Sequence, residues 1–251
     1  MRPTLSLIRR EFSAYFYSPI AYVVIVIFLI VTGYLFNLSL NLLTKSGPGG
    51  LSYPMEIIVG NVAFWLVFTF IPPLLTMRLF AEERGSGTLE MLLTAPIRDW
   101  QVVFAKFSAC FAFYIVMWLP TLAYLPILTD WDWWTLHCNI DPWPIITTYV
   151  GLALAGAMFI AIGLFVSSLV NSQMIAAIVS LAIGVLFVAG MWLPEMDTGE
   201  PLYRVLSFFT VPVHFQRDFS RGLIDTRHLI LYASVALFCL FLTIRSLEKR
   251  R

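Results

Sequence analysis

The chain has 251 residues, 59% hydrophobic, 16% aromatic and only 12% charged, with a formal net charge of +1. Soluble domains carry about 25% charged residues, so this composition excludes an ordinary soluble globule. The near-neutral charge leaves no footprint for nucleic acid, and Cys110, Cys138 and Cys239 are too dispersed for a disulfide framework or a zinc spacing.

The first element is an amphipathic stretch at 3–17. At helical spacing Leu5, Ile8, Phe12, Tyr15 and Phe16 share one face, with Ser6, Arg10 and Ser13 opposite. Pro3 suits a first helical turn and Pro19 marks a boundary. This predicts a helix lying in the membrane interface; a short solvated tail is the competing reading.

A spanning helix needs about 20 mainly apolar residues. Six segments qualify: 20–43, 57–79, 101–128, 144–170, 174–194 and 228–246. The first is too long for a signal peptide, follows a stretch containing Glu11, and has no small-residue cleavage site after it. Pro72 and Pro73 are expected to kink the second span, and Pro120 and Pro126 the outer end of the third. Gly151, Gly156 and Gly163 with neighbouring alanines form a small-residue face on the fourth, suited to close contact within the chain or with a second subunit. The spans are almost free of ionisable residues, which weakens a gradient-driven carrier.

Between the second and third spans lies the densest polar sequence. Glu82, Glu83 and Arg84 leave the hydrocarbon, and Gly85 and Gly87 break the helix. Thr88 is placed to cap a new helix through Leu89-Glu90-Met91-Leu92-Leu93, which Pro96 ends, and Asp99 is expected to cap the third span. Leu89, Leu92 and Leu93 share a face, with Glu90 off it. Such apolar knobs fit a groove on a partner, or rest on lipid; the residues alone leave both open.

On the other side, Trp131, Trp133, Trp134 and Trp143 read as an aromatic belt, with a ligand-binding box as the alternative. His137 and Cys138 lack a third ligand nearby. The segment 195–227 carries Leu202, Tyr203, Leu206, Phe209 and Val213 at helical spacing, interrupted by Pro212, which predicts short helices dipping into the outer leaflet.

With six spans, eleven Lys and Arg fall on the side of both termini and the 78–106 loop, against five on the other. The positive-inside rule therefore places both termini and that loop in the cytoplasm. No phosphate-cradling G-x-x-x-x-G-K-[ST] loop, nucleophile elbow or H-E-x-x-H pair is present, so no enzyme activity is expected. The three histidines all fall on the outer side, away from candidate nucleophiles, which leaves an intramembrane serine protease only a remote reading.

Residues 82–96, E-E-R-G-S-G-T-L-E-M-L-L-T-A-P, with a basic residue following at Lys106, resemble the cytoplasmic signature of type-2 ABC transporter permeases. The resemblance covers most of the chain. It is closest to the bacterial permeases associated with gliding motility and looser to those of nitrous-oxide-reductase maturation; L-I-D-T-R-H-L-I-L-Y at 223–232 adds to it. It implies an all-α membrane protein of six spans, a single transmembrane domain over 1–251, in the bacterial cytoplasmic membrane. Residues 3–17 would be its elbow helix, 82–96 its coupling segment, and 201–222 re-entrant helices that close the exit.

It further implies a half-transporter, pairing with a second permease subunit (identical or not) and with two copies of a separate ATPase that holds the ATP and Mg²⁺, and usually exporting. No cofactor, metal or catalytic residue is expected on this chain. The ATPase contacts would be Glu82, Glu83, Leu89, Glu90, Leu92 and Leu93, with Gly85, Gly87, Thr88 and Pro96 fixing the helix ends. The outer gate would be Leu202, Tyr203, Leu206, Phe209 and Pro212. Membrane lipid and an accessory extracytoplasmic protein complete the expected partners, and nucleic acid is not among them. The alternative is a membrane anchor or assembly subunit of an ATPase complex that moves no substrate.

Overall fold

A computed structural model of the chain describes residues 2–46, 54–87, 98–124, 142–192 and 206–249. Among them every regular element is helical: α1 (Arg2–Tyr17), α2 (Pro19–Ser46), α3 (Pro54–Gly60), α4 (Val62–Thr76), α5 (Ala81–Gly85), α6 (Asp99–Trp118), α7 (Pro142–Leu169), α8 (Gln173–Ala189), α9 (Val211–Arg217) and α10 (Thr226–Glu248), with short 3₁₀ turns. Four stretches are long and apolar enough to cross a membrane: Pro19–Leu42, Asp99–Tyr124, Trp143–Leu169 and Thr226–Glu248. They coincide with the expected first, third, fourth and sixth spans. α4 and α8, in the second and fifth, are apolar but shorter, at 15 and 17 residues.

The expected single helix over 57–79 is divided, and the reason is local. Asn61 leaves helical geometry and its side chain accepts from the Ala63 amide at 2.9 Å, capping α4. The Trp65 indole donates back to the Val59 carbonyl at 2.6 Å, so a carbonyl orphaned at the end of α3 is satisfied. The detached α3 packs on α9 and the 3₁₀ turn Phe219–Arg221 that follows it, where Arg221 pairs with Glu56 at 3.1 Å. Pro72 and Pro73 both lie within α4, which continues as one helix through to Thr76. Near Pro120 the third span tightens into a 3₁₀ turn, Leu119–Tyr124; Pro126 lies outside the described residues.

α7 is the hub, packing against α4, α6, α8 and α10, and its small residues explain how. A Cβ on Gly156 would overlap the Tyr114 ring of α6, and one on Gly163 would overlap the Thr76 hydroxyl of α4. At Gly151 a Cβ would stand 3.0 Å from the Phe215 and Phe219 rings of the outer segment. The small-residue face is therefore filled from within the chain. α2 and α10 instead leave Ile30, Tyr34, Leu237 and Phe238 exposed, which in a spanning helix suits hydrocarbon.

α1 packs along α6, with Tyr15 stacked on Phe113 (5.0 Å) and Phe16 edge-on to it (5.5 Å). Ile8, Phe12, Tyr15 and Phe16 join the core as the periodicity predicts, whereas Leu5 is 71% exposed and Leu7 is buried in its place. At the start of α6, Arg98 rather than Asp99 is the cap residue: the Arg98 amide donates to the Gln101 side chain at 3.1 Å. Asp99 stands in the first turn, where its charge suits the helix dipole.

Candidate functional site

The polar loop begins on a braced root. After α4 the chain turns through 77–80 into α5. The Phe80 and Ala81 amides both donate to the Ser167 hydroxyl at 3.1 Å, and that hydroxyl donates to the Met77 carbonyl at 3.3 Å. One serine at the end of α7 thus satisfies three backbone groups that the turn leaves without helical partners. Arg84 adds a hydrogen bond to the Ser168 carbonyl at 2.9 Å. Gly85 lies so close to the Asn171 carbonyl that a Cβ would come within 2.9 Å. Gly87 has φ +73, a left-handed conformation that favours glycine. Two glycines read from the sequence as helix breakers therefore have separate tasks, one of close approach and one of chain direction.

On the opposite flank Glu83 turns inward. Its carboxylate meets the Lys106 ammonium at 2.7 Å, and Glu11 of α1 meets the same ammonium at 3.4 Å. Lys106 is only 2% exposed although it sits in the third span, and its ammonium also lies 5.3 Å from the Phe80 ring centre. Burial pushes the Glu83 carboxyl above the usual carboxylate range, against the pull of Lys106. This triad joins α1, α5 and α6 in one buried charge cluster. The sequence pattern places Lys106 among the cytoplasmic charges and Glu83 among the partner contacts, whereas the structure pairs the two with each other. The available signal was a lone lysine two turns into an apolar run, with acidic residues in both neighbouring polar stretches.

Of the expected ATPase contacts, Glu82 is exposed, Glu83 is engaged internally, and Thr88, Leu89, Glu90, Leu92, Leu93 and Pro96 lie outside the described residues. Of the expected gate, Leu206 and Phe209 are exposed by 37% and 47% and Pro212 is buried. Leu202 and Tyr203 lie outside the described residues, as do Trp131, Trp133, Trp134, His137 and Cys138.

The segment 206–225 is fastened to α7 and α10. The Thr147 hydroxyl of α7 donates to the Phe219 carbonyl at 2.6 Å. His214 Nδ1 lies 2.9 Å from the Tyr232 hydroxyl, its ring stacks on His228 at 3.7 Å, and His228 Nε2 pairs with Asp218 at 2.9 Å. The side-chain partners of these two histidines among the described residues are thus a tyrosine and an aspartate. Asp218, Asp225 and His228 present ligand atoms within 4.8 Å of one another, close enough for a cation. Each also has a structural task, Asp225 capping α10 through the Arg227 amide at 2.8 Å.

Burial, and then the neighbouring His228, lower His214 from 6.5 to about 4. Between those values the unfolded chain binds a proton that the folded chain does not, so stability present above pH 6.5 is lost as the pH falls towards 4. The loss should reach about 3 kcal/mol. Thermal unfolding followed across that range should show it, and His214→Gln should flatten the profile.

A family model described as "ABC-2 family transporter protein" matches residues 30–215, most of the chain, including residues 77–87, Lys106 and Ser167 but not Glu11. No curated protein matches.

Proposed function

The chain belongs to the ABC-2 family of transporter proteins, and on that premise we propose that it is the permease subunit through which a separate ATPase drives a substrate across the membrane, by export. The observation that carries this reading is the bracing of residues 77–87. Ser167 and Ser168 hold this segment to α7, and Glu83 holds it to Lys106 of α6 and, through that lysine, to Glu11 of α1. A push on the segment that follows, 88–96, would reach three helices together, because packed interiors resist independent motion.

Leu89, Leu92 and Leu93 form the apolar face that the ATPase grips, Glu90 adds a polar contact beside it, and Thr88 caps the helix that carries them. Gly85, Gly87 and Pro96 set its ends, and Glu82 and Glu83 belong to its root. Contact alone shifts no equilibrium, so the ATPase must hold this face differently in its open and closed states. α4 and α8, lengthened by their flanking turns, complete six crossings, and the Lys and Arg distribution puts both termini in the cytoplasm of a bacterial inner membrane. α1 serves as the elbow, and Leu206, Phe209 and Pro212 belong to the helices that close the exit. Two such chains with two ATPase subunits make the transporter, with ATP and Mg²⁺ held by the ATPase. Residues 82–96 and 223–232 favour the gliding-motility group of permeases over the nitrous-oxide-reductase maturation group.

Reconstitution with the ATPase is the test. The chain alone should hydrolyse no ATP, and in the complex ATP should shift the distance between spin labels at Phe209→Cys of the two permease copies. Turnover by the chain alone contradicts the division of labour. A complex that forms but shows no ATP-dependent shift is an anchor, not a permease.

A further inference from the structure

Beside the root lies a partly open cavity of about 420 Å³, lined from α1, α2, α4, α5 and α6. That volume is within the range of small-ligand sites. Its lining combines apolar side chains, Ile20, Leu74 and Leu75, with the charged Arg78 and Glu82. Arg78 donates to the Ser18 hydroxyl at 2.9 Å, but its Nε is buried and has no partner among the described residues. A guanidinium is always charged, and a buried donor on it left without an acceptor is costly. Lys106, also in the lining, pairs with Glu83 and Glu11. Arg10 also pairs with Glu11, at 2.8 Å, so two cations meet two carboxylates there. Among the described lining residues this leaves one cation, Arg78, and one anion, Glu82, four residues apart.

We propose that this cavity seats a bilayer phospholipid with an ethanolamine-type headgroup, its phosphate on Arg78 and its primary ammonium on Glu82. The apolar side chains take the upper part of an acyl chain, and the remainder runs out through the open side. The charge balance selects the headgroup. A zwitterion satisfies Arg78 and Glu82 together, an anionic lipid leaves Glu82 facing it uncompensated, and a quaternary ammonium offers Glu82 no hydrogen bond. Guanidinium–phosphate pairing is the strong, charge-assisted kind, and a guanidinium presents the donor fork that it requires.

The test is native mass spectrometry of the full chain with its ATPase, taken from nanodiscs of dioleoyl-phosphatidylethanolamine, -phosphatidylglycerol and -phosphatidylcholine in equal amounts. The wild type should retain phosphatidylethanolamine preferentially. Arg78→Gln should cut its retention about tenfold or more, and Glu82→Gln should abolish the preference over phosphatidylglycerol. Ala14→Trp, which narrows the cavity from the exposed side of α1 without touching a charge, should lower retention of all three. Arg78→Gln and Ala14→Trp should still co-purify with the ATPase, which keeps this result separate from the docking proposal. Equal retention by wild type and Arg78→Gln, no retained lipid, or phosphatidylglycerol retained as well as phosphatidylethanolamine would overturn the assignment. Loss of the bound lipid during ATP turnover would mark it as cargo and overturn a resident site. If Arg78→Gln does not fold, Ala14→Trp and Glu82→Gln decide.

Discussion

Lys106→Met is expected to lower the unfolding free energy by about 3 kcal/mol, the low end of what removing one partner of a buried ion pair costs. The low end applies because the Glu83 side chain keeps 24% of its surface. The variant leaves Glu83 without its cation, while Glu11 keeps Arg10 at 2.8 Å, so Glu83, already pushed upward by burial, should take up a proton at higher pH still. The double variant Lys106→Met/Glu83→Gln removes the stranded charge and should recover more than half of the loss. Thermal unfolding of the detergent-purified chain measures both. A double variant no better than the single one would mean that lost packing, rather than an unpaired charge, sets the cost.

Replacing Leu92 and Leu93 together with Asp should abolish recruitment of the ATPase while membrane insertion is unchanged. Central apolar anchors at interfaces each contribute about 2 kcal/mol or more. Losing two, and facing the partner with two carboxylates that must be desolvated, should weaken binding by well over a hundredfold. Co-purification reads this directly. An unchanged yield of ATPase would place the docking surface elsewhere on the chain.

How much of this was legible in the sequence depended on the range of the interaction involved. Four spans were legible as sustained apolar runs, because hydropathy sums over about 20 residues. The division of the second was not, because it turns on Asn61 meeting a single amide and on Trp65 reaching back six residues. Periodicity found the apolar face of α1 but misplaced Leu5, since at the first turns of a helix the neighbour decides which residue is covered. Gly156 and Gly163 were read as a contact face, and only the structure supplied the partners, Tyr114 and Thr76. At the root, the glycines and acidic residues stood out by type. The Glu11–Lys106–Glu83 cluster joins residues up to 95 positions apart, and no local pattern encodes that pairing.

The transporter proposed here depends on the ATPase gripping residues 88–96. A photo-crosslinking amino acid in place of Leu92 or Leu93, irradiated in membranes that hold the intact complex, reads that contact. A covalent adduct with the ATPase subunit is expected, its yield changing when ATP is trapped. Adducts to lipid alone, with the ATPase still bound to the complex, would contradict it.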